Sequence, residues 1–105
     1  AAIAIPVFLN QRENAWRGAV ESDLRNAAIQ METCLTRSTT SVYPASVDSA
    51  TDTNFCDGVA LTVSDGVTFT ATGTGGTSYV ITGSHVNVDE DLTYNSATGG
   101  LGDWT

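Results

Sequence analysis

The stretch that decides the fold is residues 1–36, AAIAIPVFLNQRENAWRGAVESDLRNAAIQMETCLT. From Ala15 onwards its apolar residues recur at intervals of three and four, which is the spacing of one face of an α-helix. These residues are Ala15, Trp16, Ala19, Val20, Leu24, Ala27, Ala28, Met31, Cys34 and Leu35. A helix reaching Thr36 would be about 50 Å long. The rest of the chain is too short to cover that length. We therefore expect the N-terminal third to protrude or to be buried by another molecule.

The apolar run Ala1–Leu9 opens this stretch. A membrane-spanning helix needs about 20 apolar residues, and a secretory signal peptide needs a charged leader and a cleavage site, so the run matches neither. It is either an N-terminal packing segment or the end of a longer apolar segment that has been cut away or processed. Because proline is tolerated only in the first turn of a regular helix, we expect clean helix from about Pro6.

Charge is distributed unevenly along the chain. The formal net charge is −8, and the sequence contains no Lys. The basic residues all lie in the first third of the chain and are Arg12, Arg17, Arg25 and Arg37. The part that follows has acidic residues but no Arg or Lys. Since phosphate contacts need clustered cations, we expect no direct nucleic-acid binding by this part. An acidic, Thr-rich surface without Lys suits an exposed extracellular protein.

Cys34 and Cys56 are the only cysteines. A disulfide between them would close a loop of roughly 20 residues and contribute about 3 kcal/mol in the chain-entropy model. The alternatives are two free thiols or half of a metal site. A zinc site is disfavoured because the sequence has one His and no Cys-x-x-Cys motif. The predicted disulfide implies an oxidising, extracytoplasmic location.

After the helix the apolar period changes to two, which predicts strands. We expect strands at 59–63, 67–72 and 78–83, joined by turns at 64–66 and 73–77, with further short strands at 86–88 and 92–94. The face expected to pack on the helix comprises Val59, Leu61, Val63, Val67, Phe69, Ala71, Tyr79 and Ile81. The fold class is therefore α+β, a long N-terminal helix packed on a three- to four-stranded antiparallel meander.

The chain is predicted to be one domain with three parts. Residues 1–37 form the helix, of which 1–16 protrude and 17–37 pack on the sheet. Residues 38–57 form a loop between helix and sheet, and 58–105 form the sheet and a C-terminal loop. Trp104 is expected to anchor the C-terminus on the sheet.

Three stretches resemble the type IV pilin and pseudopilin family. They are AAIAIPVFLNQR at 1–12, SDLRNAA at 22–28 and YNSATGGL at 94–101. The first is the most specific and matches the latter part of the family's N-terminal helix. With the order of helix and then meander, the resemblance covers essentially the whole chain. The family's processed and N-methylated first residue, its nearby glutamate and its first apolar turns are absent. We therefore expect a fragment made soluble by truncation, with natural processing as the alternative.

The resemblance implies a lollipop-shaped major pilin without enzymatic activity or cofactor. Such a subunit is anchored in the cytoplasmic membrane by its upstream apolar segment. The pilus assembly machinery then polymerises it with copies of itself into a filament on the bacterial surface, for adhesion, twitching motility or DNA uptake. The residues that the resemblance implies in the filament interface are Ala1, Ala2, Ile3, Ala4, Ile5, Pro6, Val7, Phe8, Leu9, Arg12 and Trp16.

Two other functions remain open. A major pseudopilin of type II secretion would share the fold and bind calcium in a C-terminal loop. Asp89, Glu90 and Asp91, with Asp103 and the carbonyls of 99–102, could supply oxygen ligands. Their spacing does not match a regular calcium loop, so a solvated acidic turn is the favoured interpretation. A monomeric secreted binding module would leave the apolar N-terminus unexplained. His85 is the only His, and no residue near it in sequence marks it as a catalytic base.

The helix side chains have alternative interpretations too. Trp16 could lie in the filament interface or cap the contact between helix and sheet. Arg12, Arg17 and Arg25 could pair with acidic heads of neighbouring subunits. Alternatively, they are solvated and form local i,i+4 pairs such as Glu13 with Arg17.

Overall fold

The computed structural model describes residues 4–38, 42–56, 58–74 and 77–105, with side chains from Arg12 onwards except that of Thr74. A single helix, α1, precedes the strands in this part of the chain. The elements are α1 (Ala4–Arg37), β1 (Ser46–Asp48), β2 (Asn54–Cys56), β3 (Val59–Ala60), β4 (Val67–Thr74), β5 (Ser78–His85), β6 (Leu92–Asn95) and β7 (Gly100–Leu101). The helix packs on an antiparallel sheet, so the α+β prediction is confirmed at that level.

One face of α1 forms half of the core. The side chains of Val20, Leu24, Ala27, Ala28, Met31 and Cys34 are buried, as their three-and-four spacing predicts. The helix ends at Arg37, where the Ser38 N–H donates to the carbonyl of Cys34 at 3.0 Å. Burial of this stripe, rather than helix propensity alone, holds the helix against the sheet.

The main sheet has five strands in the order β1-β4-β5-β6-β7, all antiparallel to their neighbours. The predicted number of three to four strands is therefore too low, because β1 from the predicted loop pairs at one edge and the short β7 pairs at the other. Inner and outer side chains alternate along each long strand, because successive residues of a strand point to opposite faces. The inner face buries Val67, Phe69, Ala71, Tyr79, Ile81 and Leu92. The outer face carries exposed Thr68, Thr70 and Thr72 on β4. The alternation of apolar residues with Thr in this strand is therefore confirmed.

Gly83 sets the closest approach of sheet and helix. A Cβ atom built at this position would lie 2.7 Å from Leu24 Cδ2 and 3.1 Å from Val20 Cγ1. Any side chain here would push the helix away from β5. The glycine therefore lets the two layers pack in contact at the middle of the core.

The predicted loop 38–57 and the predicted strand 59–63 are both wrong in part. Within the loop, β1 pairs with β4 as an edge strand, and β2 pairs with β3 in a separate two-stranded sheet. Strand β3 stops at Ala60, because the segment after it turns towards the helix. There Ser64 donates its backbone N–H and its hydroxyl to the Asp23 carboxylate at 2.8 and 3.1 Å. Val63, predicted to face the core, is 38% exposed.

The predicted strand at 86–88 is also wrong, because β5 ends at His85 and a turn follows it. The predicted strand at 92–94 is confirmed as β6, which continues into a short pairing with β7. The C-terminus is anchored beside this turn. Asp91 and Thr105 exchange backbone N–H to carbonyl hydrogen bonds of 2.9 and 3.0 Å.

The disulfide between Cys34 and Cys56 is present, with 6.0 Å between the two Cα atoms. It joins the last turns of α1 to β2. Phe55 of β2 also stacks on Phe69 of β4, with ring centroids 5.7 Å apart. The disulfide joins the small β2–β3 sheet to the helix, and the contact between Phe55 and Phe69 joins it to the main sheet.

Candidate functional site

The helix meets the end of the sheet at Trp16. The Trp16 ring stacks on the His85 ring with centroids 5.5 Å apart and planes inclined by 24°. His85 is buried, and its Nδ1 accepts a hydrogen bond from the Asn87 N–H at 3.0 Å. Of the two interpretations of Trp16, the structure shows the capping contact. Its place in a filament interface stays a prediction.

Arg17, the next residue, joins three elements of the protein. Its Nη2 donates to Glu13 Oε1 at 2.9 Å and to Glu90 Oε1 at 3.0 Å. Its guanidinium lies 4.7 Å from the centroid of the Trp104 ring, within the range of a cation–π contact. The hydrogen bonds to Glu13 and Glu90 raise the pKa of Arg17. The predicted local pairing with Glu13 is therefore observed, and Arg17 is engaged within its own chain.

We call the head the globular part of the protein, which comprises α1 from Arg17 onwards and the strands. The side chains described above form a cluster where the helix enters the head, which we call the collar. It consists of Glu13, Trp16, Arg17, His85, Glu90 and Trp104. Trp16, the last residue of the predicted protruding segment 1–16, thus already contacts the head. Trp104 is half-buried and packs against the core, in keeping with its predicted anchoring role.

The predicted filament interface lies mostly on the N-terminal side of the collar. Ala1, Ala2 and Ile3 lie outside the described residues, and so do the side chains of Ala4–Leu9. The backbone of 4–12 is helical and accounts for about 13 Å of helix. Arg12 is exposed. The long dimension of the molecule is 60 Å, against 27 and 16 Å across.

The acidic residues considered for calcium are arranged differently from a metal site. In the part of the chain that the structure describes, no group of three or more His, Cys, Asp or Glu residues is placed to hold a metal ion. The Glu90 carboxylate binds Arg17, and the backbone of Asp91 is paired with Thr105. No helix among the described residues is both long enough and apolar enough to cross a membrane.

A cluster of tyrosines on the side of the helix was missed by the sequence reasoning. The single proton of the Tyr79 hydroxyl is shared between two acceptors, the Ala28 carbonyl and Glu32 Oε1, both at 3.4 Å. The Tyr43 hydroxyl donates to the same Glu32 oxygen at 2.9 Å. Burial raises the pKa of Tyr79, and the neighbouring Glu32 charge raises it further. The Tyr94 ring stacks parallel to Tyr79 at 6.1 Å.

Beside these tyrosines lies an open groove of about 270 Å³ between the helix and β6. We call it the Ile29 groove. It is lined by Arg25, Ala28, Ile29, Glu32, Tyr79 and Tyr94. Ile29 is 62% exposed, and Arg25 is exposed as well. The sequence feature that could have indicated this groove is Ile29, because it is an apolar residue that lies outside the buried stripe of the helix.

Comparison with protein-family models finds no family that matches the chain, and comparisons with curated proteins and with solved structures find no significant match. The resemblance to pilins consequently rests on the three sequence stretches alone. The arrangement that the structure adds to them is a long helix fixed to a small head by the core, the disulfide and the collar.

Proposed function

We propose that the chain is a structural subunit of an extracellular filament, a type IV pilin that polymerises through its N-terminal helix. The observation that carries this proposal is the continuation of α1 past the collar. Residues 4–12 remain helical there, and the sequence Ala4–Leu9 is apolar at every position. An apolar helix that extends beyond its own domain favours packing against other helices, because burial of its side chains removes them from water.

In the proposed filament, the helices bundle along the axis and the heads form the outer surface. The outward face of β4, with its row of Thr side chains, suits contact with water because it is polar and uncharged. The acidic charge of the head suits a surface that is exposed to water. The collar contributes a fixed angle between helix and head, since Arg17 and Trp16 hold the helix to residues from β5 and the C-terminus. Because every copy then has the same angle between helix and head, the same contact between subunits can repeat along a filament.

The proposal is tested by expressing the gene with its own upstream codons in a strain that assembles pili and imaging the cells by electron microscopy. Filaments that disappear when the gene is deleted are the expected result. A Phe8→Asp variant should abolish the filaments while leaving the melting temperature of the purified head unchanged, because it places a charge in the apolar segment. The matched control is Val42→Asp, which changes an exposed Val outside the helix. Absence of filaments from the unmodified gene overturns the proposal.

A further inference from the structure

We propose that the Ile29 groove of one subunit receives the turn Val86–Asp91 of a second copy of this chain. This inference rests on the proposed function, since it names a contact between the heads of neighbouring subunits. It concerns head residues that the resemblance does not place in the filament interface. Its two sides are separate patches on one molecule, and each has an exposed apolar residue beside an exposed charge.

The groove supplies an apolar floor and a positive charge. Ile29 is 62% exposed, on the face of the helix that lies away from the buried stripe. Arg25 lies one helical turn before it and lines the same groove. Among the described residues Arg25 has no ion-pair partner. Glu32, about one turn after Ile29, accepts hydrogen bonds from the hydroxyls of Tyr43 and Tyr79 and places a negative charge at the other end of the groove. An incoming segment therefore meets an available cation at one end only.

The turn supplies the complementary features. Val86 is 77% exposed, and Asp89 and Asp91 are exposed at a short distance along the chain. The turn is held in place from several sides. Val86 N–H donates to the Gly66 carbonyl, and Val88 N–H donates to the His85 carbonyl, each at 3.0 Å. A segment already fixed in its bound conformation loses little conformational entropy on binding.

Charge favours a second copy of this chain as the occupant. After Arg37 the sequence contains acidic residues but no Arg or Lys, so the head has no cation of its own to offer Asp89. The cations of the chain lie on the helix, and Glu13 and Glu90 already engage Arg17. Arg25 of a neighbouring copy meets this need, and burying Val86 against Ile29 removes both apolar side chains from water.

The two patches cannot meet within one chain. Val86 follows His85, which stacks on Trp16, whereas Ile29 lies 13 residues further along the same helix. At 1.5 Å per residue this separation is about 20 Å along the helix axis. A contact between two different patches of identical subunits is heterologous, and it produces a ring or an open helical chain. The proposed contact therefore predicts that neighbouring subunits have parallel helices and are displaced from each other by about 20 Å along the helix axis.

Photo-cross-linking tests the contact directly. A benzophenone amino acid is placed at position 29 of the full-length subunit, assembled filaments are irradiated, and the cross-linked peptides are identified by mass spectrometry. The expected product joins position 29 of one copy to the peptide containing Val86–Asp91 of another. Filaments whose position 29 cross-links elsewhere, to another protein or not at all overturn this inference and leave the proposed function intact. If the unmodified subunit forms no filaments, the proposed function fails and the inference fails with it.

Charge exchange provides a second measurement. Arg25→Asp and Asp89→Arg should each lower the yield of the position-29 cross-link about tenfold, because attraction is replaced by repulsion. The double variant should restore the yield, since the pair is then reversed. Val63→Asp, at an exposed Val outside both patches, should leave the yield unchanged. Equal yields from all the variants, or no restoration in the double variant, contradict the pairing.

Discussion

Removal of the Cys34–Cys56 disulfide should destabilise the protein by about 3 kcal/mol. The two residues are 22 positions apart, and closing a loop of this size restricts the unfolded chain by that amount in the chain-entropy model. For a domain of this length the loss corresponds to a fall in melting temperature of about 15 °C. The folded structure should be retained, because the helix stripe and the inner face of the main sheet form the larger part of the core.

The assay is thermal unfolding followed by circular dichroism, comparing the oxidised chain, the chain reduced with dithiothreitol and the Cys34→Ala/Cys56→Ala double variant. The single variants Cys34→Ala and Cys56→Ala serve as controls. Each should melt close to the double variant, since one missing thiol removes the whole cross-link. A fall of less than about 5 °C on reduction would refute the reasoning, because it corresponds to only about 1 kcal/mol. It would mean that the unfolded chain is compact without the cross-link.

Two further predictions, with one control, concern contacts between the helix and the rest of the chain, and chemical denaturation measures all three variants. Gly83→Ala should destabilise by about 1–3 kcal/mol, because the added methyl group meets Leu24 at 2.7 Å. Gly18→Ala is its matched control and should stabilise by about 0.5–1 kcal/mol, since no atom lies within 4 Å of the new methyl group and alanine favours helix. Equal effects of the two alanines would contradict the close packing at Gly83. Asp23→Ala should destabilise by about 1–3 kcal/mol, because the N–H and hydroxyl of Ser64 lose their acceptor. An unchanged unfolding midpoint would show that water replaces the carboxylate.

The sequence was sufficient to predict those parts of the fold that depend on local pattern. The buried stripe of α1 follows from the helical period, and the inner face of β4 follows from the alternation of apolar residues with Thr. The disulfide follows from the presence of a single cysteine pair. In the helix and the strands, the burial of a residue follows from its position in the local sequence pattern. In the disulfide, each cysteine has only one possible partner.

The remaining features depend on contacts between segments far apart in sequence. Strand β1 has three residues, and its position at the sheet edge is decided by pairing with β4 rather than by its own pattern. Strand β3 is short because Asp23 on the helix draws Ser64 away from the sheet. The stacking of Trp16 on His85 and the Ile29 groove likewise arise only when helix and sheet are brought together.

The central claim is that the N-terminal part of the helix is an assembly surface. Electron cryomicroscopy of filaments produced from the gene with its upstream codons tests it most directly. The account predicts that density for residues 1–12 lies at the filament axis, packed against the same segment of neighbouring copies, with the five-stranded sheets outside. Filaments in which this helix lies at the surface, or in which other parts of the head form the axis, would contradict it.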